Sequence, residues 1–150
     1  MRFASPAAML NACMSAAENV ELVRRWVTKG LGGDVSLVEE LIGPEYINHD
    51  AGPDDPPGPQ MQRDIIRRMH RAFSNLQFVI DDIFADGDRV VVRDHMIGIN
   101  TGQFFGRPAT GKSIDVERIT IYRVEGGKLR ESWSAMNTFL LLQQLGLLQR

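Results

Sequence analysis

Apolar residues recur every three or four positions through the first half of the chain and every second position through much of the second half. Helices are therefore expected first and strands afterwards. Val20, Leu22, Val23, Trp26 and Val27 form one face of a helix over Glu18–Lys29, with Gly30 as its C-cap. Val38, Leu41 and Ile42 face inward from a second, short helix capped by Asp34 or Ser36 and ended by Gly43-Pro44. Four prolines and two glycines make residues 51–59 a polar loop. Helical spacing returns over Gln60–Phe73 through Met61, Ile65, Met69 and Phe73. The period then changes to two, predicting four strands over Leu76–Phe84, Arg89–Ile99, Ser113–Val124 and Lys128–Asn137. Asp86-Gly87-Asp88 and Gly126-Gly127 are tight-turn signals. Asn100–Gly111 is a glycine-rich loop carrying Phe104 and Phe105, and Phe139–Leu148 is a short closing helix. This order argues an α+β fold with helices on one side of an antiparallel sheet.

Length and charge narrow the function classes. At 150 residues the chain is expected to form one domain over residues 15–150, with residues 1–14 as an extension because Met14-Ser15-Ala16-Ala17 has the character of a start. Ser5, Pro6 and Asn11 interrupt any signal-peptide core. A net charge of −2 leaves no electrostatic footprint for nucleic acid. The cluster Arg63, Arg67, Arg68 and Arg71 beside Asp64 reads as a solvated helix face, with His70 at the solvent. A single cysteine, Cys13, excludes an internal disulfide and fits a cytoplasmic location. No apolar run approaches the roughly 18 residues of a membrane span. His49, His70 and His95 lack H-x-H or H-E-x-x-H spacing, so no metal is expected. Without a Walker loop or G-x-G-x-x-G, no nucleotide cofactor is expected either.

Four segments, Val20–Trp26 (VELVRRW), Pro44–Asp50 (PEYINHD), Arg107–Lys112 (RPATGK) and Tyr122–Trp133 (YRVEGGKLRESW), followed by Leu140–Leu145 (LLLQQL), carry a resemblance. In this order and spacing the chain resembles the SnoaL-like polyketide cyclases and ester cyclases of the NTF2-like superfamily. The resemblance implies a cone in which a curved antiparallel sheet wraps N-terminal helices around a pocket, and a homodimer formed through the convex sheet face. The chain is also similar to limonene-epoxide hydrolase. Aligned without a gap from Asp86-Gly87, that enzyme's catalytic arginine falls on Arg93, one catalytic aspartate on His95, and its water-positioning pair on Tyr46 and Asn48. Its second aspartate, and the essential aspartate of the polyketide cyclases, falls on Ser134. The cyclases' auxiliary histidine falls on Thr120. Extending these parities puts Ile97, Val116, Arg118, Thr120, Ser134 and Met136 on the cavity wall and Val90, Val92 and Met96 outside.

Two guanidiniums in one dry cavity, Arg93 and Arg118, require anions, either Glu45, Asp50, Asp94 or Glu117, or a ligand. The resulting expectation is a cofactor-independent enzyme on a hydrophobic small molecule. His95 would take a proton from an acidic carbon, and Arg93 or Arg118 would stabilise the oxyanion. Cations beside His95 would lower its pKa. Tyr46 and Asn48 would orient a water or substrate oxygen, or Asn48 and Asp50 would satisfy backbone groups in the loop that follows. Ser134 has no neighbouring base and no nucleophile elbow, so it is expected as a wall residue. Two other readings stand: a non-catalytic binding module of the same fold, and a limonene-epoxide-hydrolase-like hydrolase or hydratase.

Overall fold

Ser15 opens the helical layer in this computed structural model, which describes residues 14–148. Its hydroxyl accepts from the Glu18 amide while the Glu18 carboxylate accepts from the Ser15 amide, a reciprocal capping box at the start of α1 (Ala16–Arg25). The extension expected at residues 1–14 lies, apart from Met14, outside the described residues. Helix α1 continues as a π-helical turn over Trp26–Gly30, with the Leu31 amide bonded to the Trp26 carbonyl. Gly30 is therefore inside the turn and does not cap it. A Cβ there would lie 2.4 Å from the Trp26 ring, so glycine lets the indole fold down into the core.

Helix α2 (Ser36–Leu41) leads directly into β1 (Ile42–Asn48), and α3 (Pro59–Ala72) directly into β2 (Phe73–Asp86). Strands β3 (Arg89–Asn100), β4 (Ser113–Glu125) and β5 (Lys128–Met136) follow, then α4 (Thr138–Gln144). The sheet is curved and unclosed, in the order β1-β5-β4-β3-β2. It has five strands where four were expected. The additional strand, β1, pairs in parallel with β5 at the sheet's edge. Pro44 is exposed on that edge strand, a place where a missing N–H is tolerated, and it masked the strand in the sequence.

The helices cover the concave face. Trp26, Val23, Val27, Val38, Tyr46, Phe73, Tyr122, Leu129 and Leu141 are all buried in the core between the two layers. Directly opposed residues of an antiparallel pair share a face, so the register lists the concave side row by row. Val90–Tyr122–Ser132 form one row, Val92–Thr120–Ser134 the next, and Asp94–Arg118–Met136 a third. Beyond them Phe78, Met96 and Val116 lie side by side.

Candidate active site

The third row supplies the charge inside the cone. Asp94 is fully buried, and Arg118 donates to it through Nε and Nη2, at 2.8 Å to each carboxylate oxygen. The guanidinium also lies 4.5 Å from the centroid of the Phe78 ring. Its side chain keeps 15% exposure, whereas that of Asp94 keeps 1%. The arginine is thus the more accessible member of the pair on the concave face and the aspartate is the group that orients it. The Nη1 donors take no part in this fork.

Met136, across from Arg118, and Met96, next to Asp94 on the same face, line a pocket of about 620 Å³. Met69, Phe104, Phe105 and Leu141 complete its apolar wall, with Arg68 at the rim. A second pocket of the same volume, bounded by Met14–Asn19, Gly87-Asp88 and Val124–Gly126, lies at the hairpin-turn end of the cone and holds none of these groups. The aromatic wall of the first pocket is built by the loop after β3. Phe104 and Arg107 exchange backbone hydrogen bonds around Phe105-Gly106, both at positive φ (47° and 69°). Phe104 stacks edge-on against Phe73.

Asn100 fixes that loop at both ends. Its buried amide donates to the carbonyls of Ala72 (3.0 Å) and Gly102 (2.9 Å), and its carbonyl accepts from the Thr110 amide and hydroxyl. Gly102 packs so close to the end of α3 that a Cβ would stand 1.9 Å from the Arg71 carbonyl oxygen.

Hydroxyls dominate the other two rows. Thr120 and Ser134 bond to each other at 3.0 Å. Tyr46 donates to Ser132 at 2.5 Å. Burial above all, with smaller contributions from Tyr122 and Asp50, pushes the Tyr46 phenol far above its usual range. Burial likewise raises Tyr122 to about 12. Both phenols are therefore neutral donors at ordinary pH.

Val116, Arg118, Thr120, Ser134 and Met136 all stand on the concave face. Arg93, His95 and Ile97 do not. Along β3 the buried positions are Val90, Val92, Asp94, Met96, Gly98 and Asn100, so the expected parity is reversed. Both parities of this strand carry apolar and charged residues, and a shift of one flips every side chain. The buried partner that decides the matter is Arg118, which is satisfied by Asp94 and not by a ligand alone.

On the outer face, Arg93 reaches Asp81 (3.6 Å) and Glu117 (3.2 Å). His95 lies between two carboxylates, with Nδ1 2.5 Å from Asp115 and Nε2 2.9 Å from Asp81. Carboxylates only accept, so both ring nitrogens donate. The bond to Asp115 is the main cause that raises the His95 pKa, outweighing partial burial, with Asp81 and Glu117 adding to it. The lowered pKa expected from neighbouring arginines is therefore corrected. An imidazolium held this way, behind the sheet, does not share a cavity with Arg118. Asp81, His95 and Glu117 offer atoms within 4.8 Å of one another that could ligate a cation, but Arg93 already supplies the positive charge there.

Tyr46 points into the core, whereas the Asn48 side-chain Oδ1 accepts from the Asp50 amide at 3.0 Å, satisfying the backbone of the turn. His70 is half-buried, not solvent-facing, and donates through Nε2 to the Leu31 carbonyl at 2.9 Å. Trp133 lies on the outer face, stacked on His49 and covered by Arg89. No helix among the described residues is long and apolar enough to cross a membrane.

Comparison with known proteins agrees with this architecture. Aklanonic acid methyl ester cyclase DnrD of Streptomyces peucetius is 30% identical over 115 residues, 75% of this chain and 79% of its own. The enzyme of the same description, DauD of Streptomyces sp. strain C5, is also 30% identical, over 75% of this chain and 71% of its own. The structure of TsrD from Streptomyces laurentii superposes with a TM-score of 0.82 at 28% identity, covering 90% of this chain and 99% of that one. The family model of SnoaL-like polyketide cyclases matches residues 21–145. The chain belongs to the SnoaL-like polyketide cyclase family.

Proposed function

We propose that this protein is a cofactor-independent cyclase acting on a hydrophobic, polyketide-type small molecule whose reacting carbon carries an acidic C–H beside a carbonyl. The observation that carries this reading is Arg118, a cation locked in orientation by Asp94 on the concave face, directly opposite Met136 of a thioether- and aromatic-lined pocket. Its uncommitted donors suit the oxygen of an enolate, where charge develops as the C–H proton leaves. A preorganised donor of this kind is worth about 3 kcal/mol in a barrier. That suffices for a carbon activated by two carbonyls and not for an ordinary ketone. The names of the two curated relatives supply the substrate to try first, aklanonic acid methyl ester. Wild type should convert it to the cyclised ester, and Arg118→Met should lose about 100-fold in kcat/KM. The absence of product from wild type would overturn the reading.

One observation favours a second reading. Thr120 and Ser134, to which the resemblance assigns the cyclases' histidine and aspartate, satisfy each other. A non-catalytic binding module would have this wall, and in it Arg118→Met would weaken ligand binding with no reaction to lose.

The outer sheet face supports a homodimer. Val79, Phe84 and Ile119 are exposed there at 44%, 55% and 45%, beside the Arg93 and His95 carboxylate network. Ile119→Arg should turn a dimer into a monomer by size-exclusion chromatography, and an unchanged elution volume would discard this face.

A further inference from the structure

The main-chain amide of Ser134, a residue of the concave row of Thr120, is met by a carboxylate from a distant part of the chain. Asp50 is 84 residues away in sequence, and its Oδ2 accepts the Ser134 amide at 2.5 Å. Its placement follows from how β1 ends. The strand runs parallel to β5, and the His49 amide still bonds to the Ser132 carbonyl at 3.0 Å. The chain then turns, with the Asn48 side chain accepting the Asp50 amide and the Ala51 amide reaching the Asn48 carbonyl at 3.2 Å. This Asx turn carries Asp50 past the end of β1 and onto the edge of β5. Asp50 is exposed, and its Oδ1 accepts from no group among the described residues.

We infer that Asp50 is the general base of this site, a carboxylate supplied from the β1 turn and held beside Ser134. The inference rests on the cyclase reading and deepens it. Ser134 shares the concave face with Thr120, and Arg118 is the diagonal neighbour of Ser134 there. Diagonal pairs on one face stand about 7–8 Å apart. A base held beside Ser134 and the oxyanion donor Arg118 are thus close enough to serve one 1,3-dicarbonyl unit. Asp50 is also felt within the cone, being among the groups that act on the buried Tyr46 phenol.

The step balances without a co-reactant. The Asp50 carboxylate takes the C–H proton, and the electron pair of that bond moves onto the carbonyl oxygen held by Arg118. The enolate carbon then forms the ring bond to a ketone carbon, and the ketone oxygen takes the proton back from the Asp50 carboxylic acid. Asn48 acts through Asp50 and is a positioning residue.

The test compares wild type, Asp50→Asn and the double variant Asp50→Asn/Ser134→Asp on aklanonic acid methyl ester, with melting temperatures alongside. Asparagine retains an acceptor for the Ser134 amide, so Asp50→Asn should fold. It should lose about 100-fold or more in kcat with KM little changed, and the double variant should recover at least about a tenth of the wild-type rate. An Asp50→Asn rate within about threefold of wild type would overturn the inference while leaving the cyclase reading in place. Loss of rate together with affinity or melting temperature, without recovery in the double variant, would make Asp50 a structural cap and overturn it too. An inactive wild type would remove the cyclase reading and the base with it.

Discussion

Arg118 and Asp94 face each other directly across β4 and β3, joined by two parallel 2.8 Å hydrogen bonds on the concave side of the sheet. A pair so enclosed is dangerous to break singly. Arg118→Met leaves a fully buried carboxylate without its cation, and it should destabilise the fold by about 3–5 kcal/mol. Replacing both, as Asp94→Leu/Arg118→Met, should bring stability back to within about 1 kcal/mol of wild type. Urea denaturation of the four proteins in the cycle measures this. A double variant as unstable as the single one would mean that shape, and not charge, sets the cost.

Asn100 should be the most sensitive polar residue of the loop. Asn100→Ala removes four hydrogen bonds and strands the Gly102 carbonyl and the Thr110 amide, while the Ala72 carbonyl keeps the Thr101 and Gly102 amides, a loss of about 2–4 kcal/mol. Proteolytic cutting within residues 101–111 should accelerate in parallel. Slow cutting in a destabilised variant would show that the loop holds its place without the amide.

His95 should make stability fall as pH rises from neutral. Its pKa is raised in the folded state, first by Asp115. The stabilisation is therefore fully present below the ordinary imidazole value of about 6.5 and is lost as pH climbs through the raised one. Arg93, Asp81, Asp115 and Glu117 are the charged groups around it. Denaturation midpoints of wild type and His95→Gln between about pH 5.5 and 9 should converge at the alkaline end. Parallel curves would assign the slope elsewhere.

The two tyrosines of the chain, Tyr46 and Tyr122, are both buried with raised phenol pKa values. Tyrosinate absorbance should stay silent through pH 10 and appear in one step with unfolding. The raised folded values mean that stability is lost as pH rises past the unfolded value of about 10. A gradual titration centred near 10 in folded protein would contradict the burial of both rings.

The parts of the cone that could be read from the sequence were those whose register short turns determine. Gly126-Gly127, both at positive φ, closes β4 onto β5 and pairs Glu125 with Lys128. A register shift between Arg123 and Val124 then intervenes, so the facing of Arg118, Thr120, Ser134 and Met136 was legible only through the family resemblance. The turn between β3 and β4 is instead a loop of residues 101–112, which transmits no register, so the facing of Arg93 and His95 could not be inferred from that of Arg118. Strand β1 was hidden because Gly43-Pro44 reads as a break, although an edge strand accepts it. Asp50 was equally out of reach, since its partner Ser134 is local only in three dimensions.

The four bonds of Asn100 also bear on how this family could diversify. One amide buckles the end of α3, the start of the loop and its return into a single knot, so the segment between Gln103 and Ala109 hangs from a closed base. Its length is thereby uncoupled from the cone. Phe104 ties the tip to Phe73 of the core, so the exchangeable part is the stretch beyond it, where a longer or shorter tip would reshape the ligand space while the closed base and the Phe73 contact hold the cone.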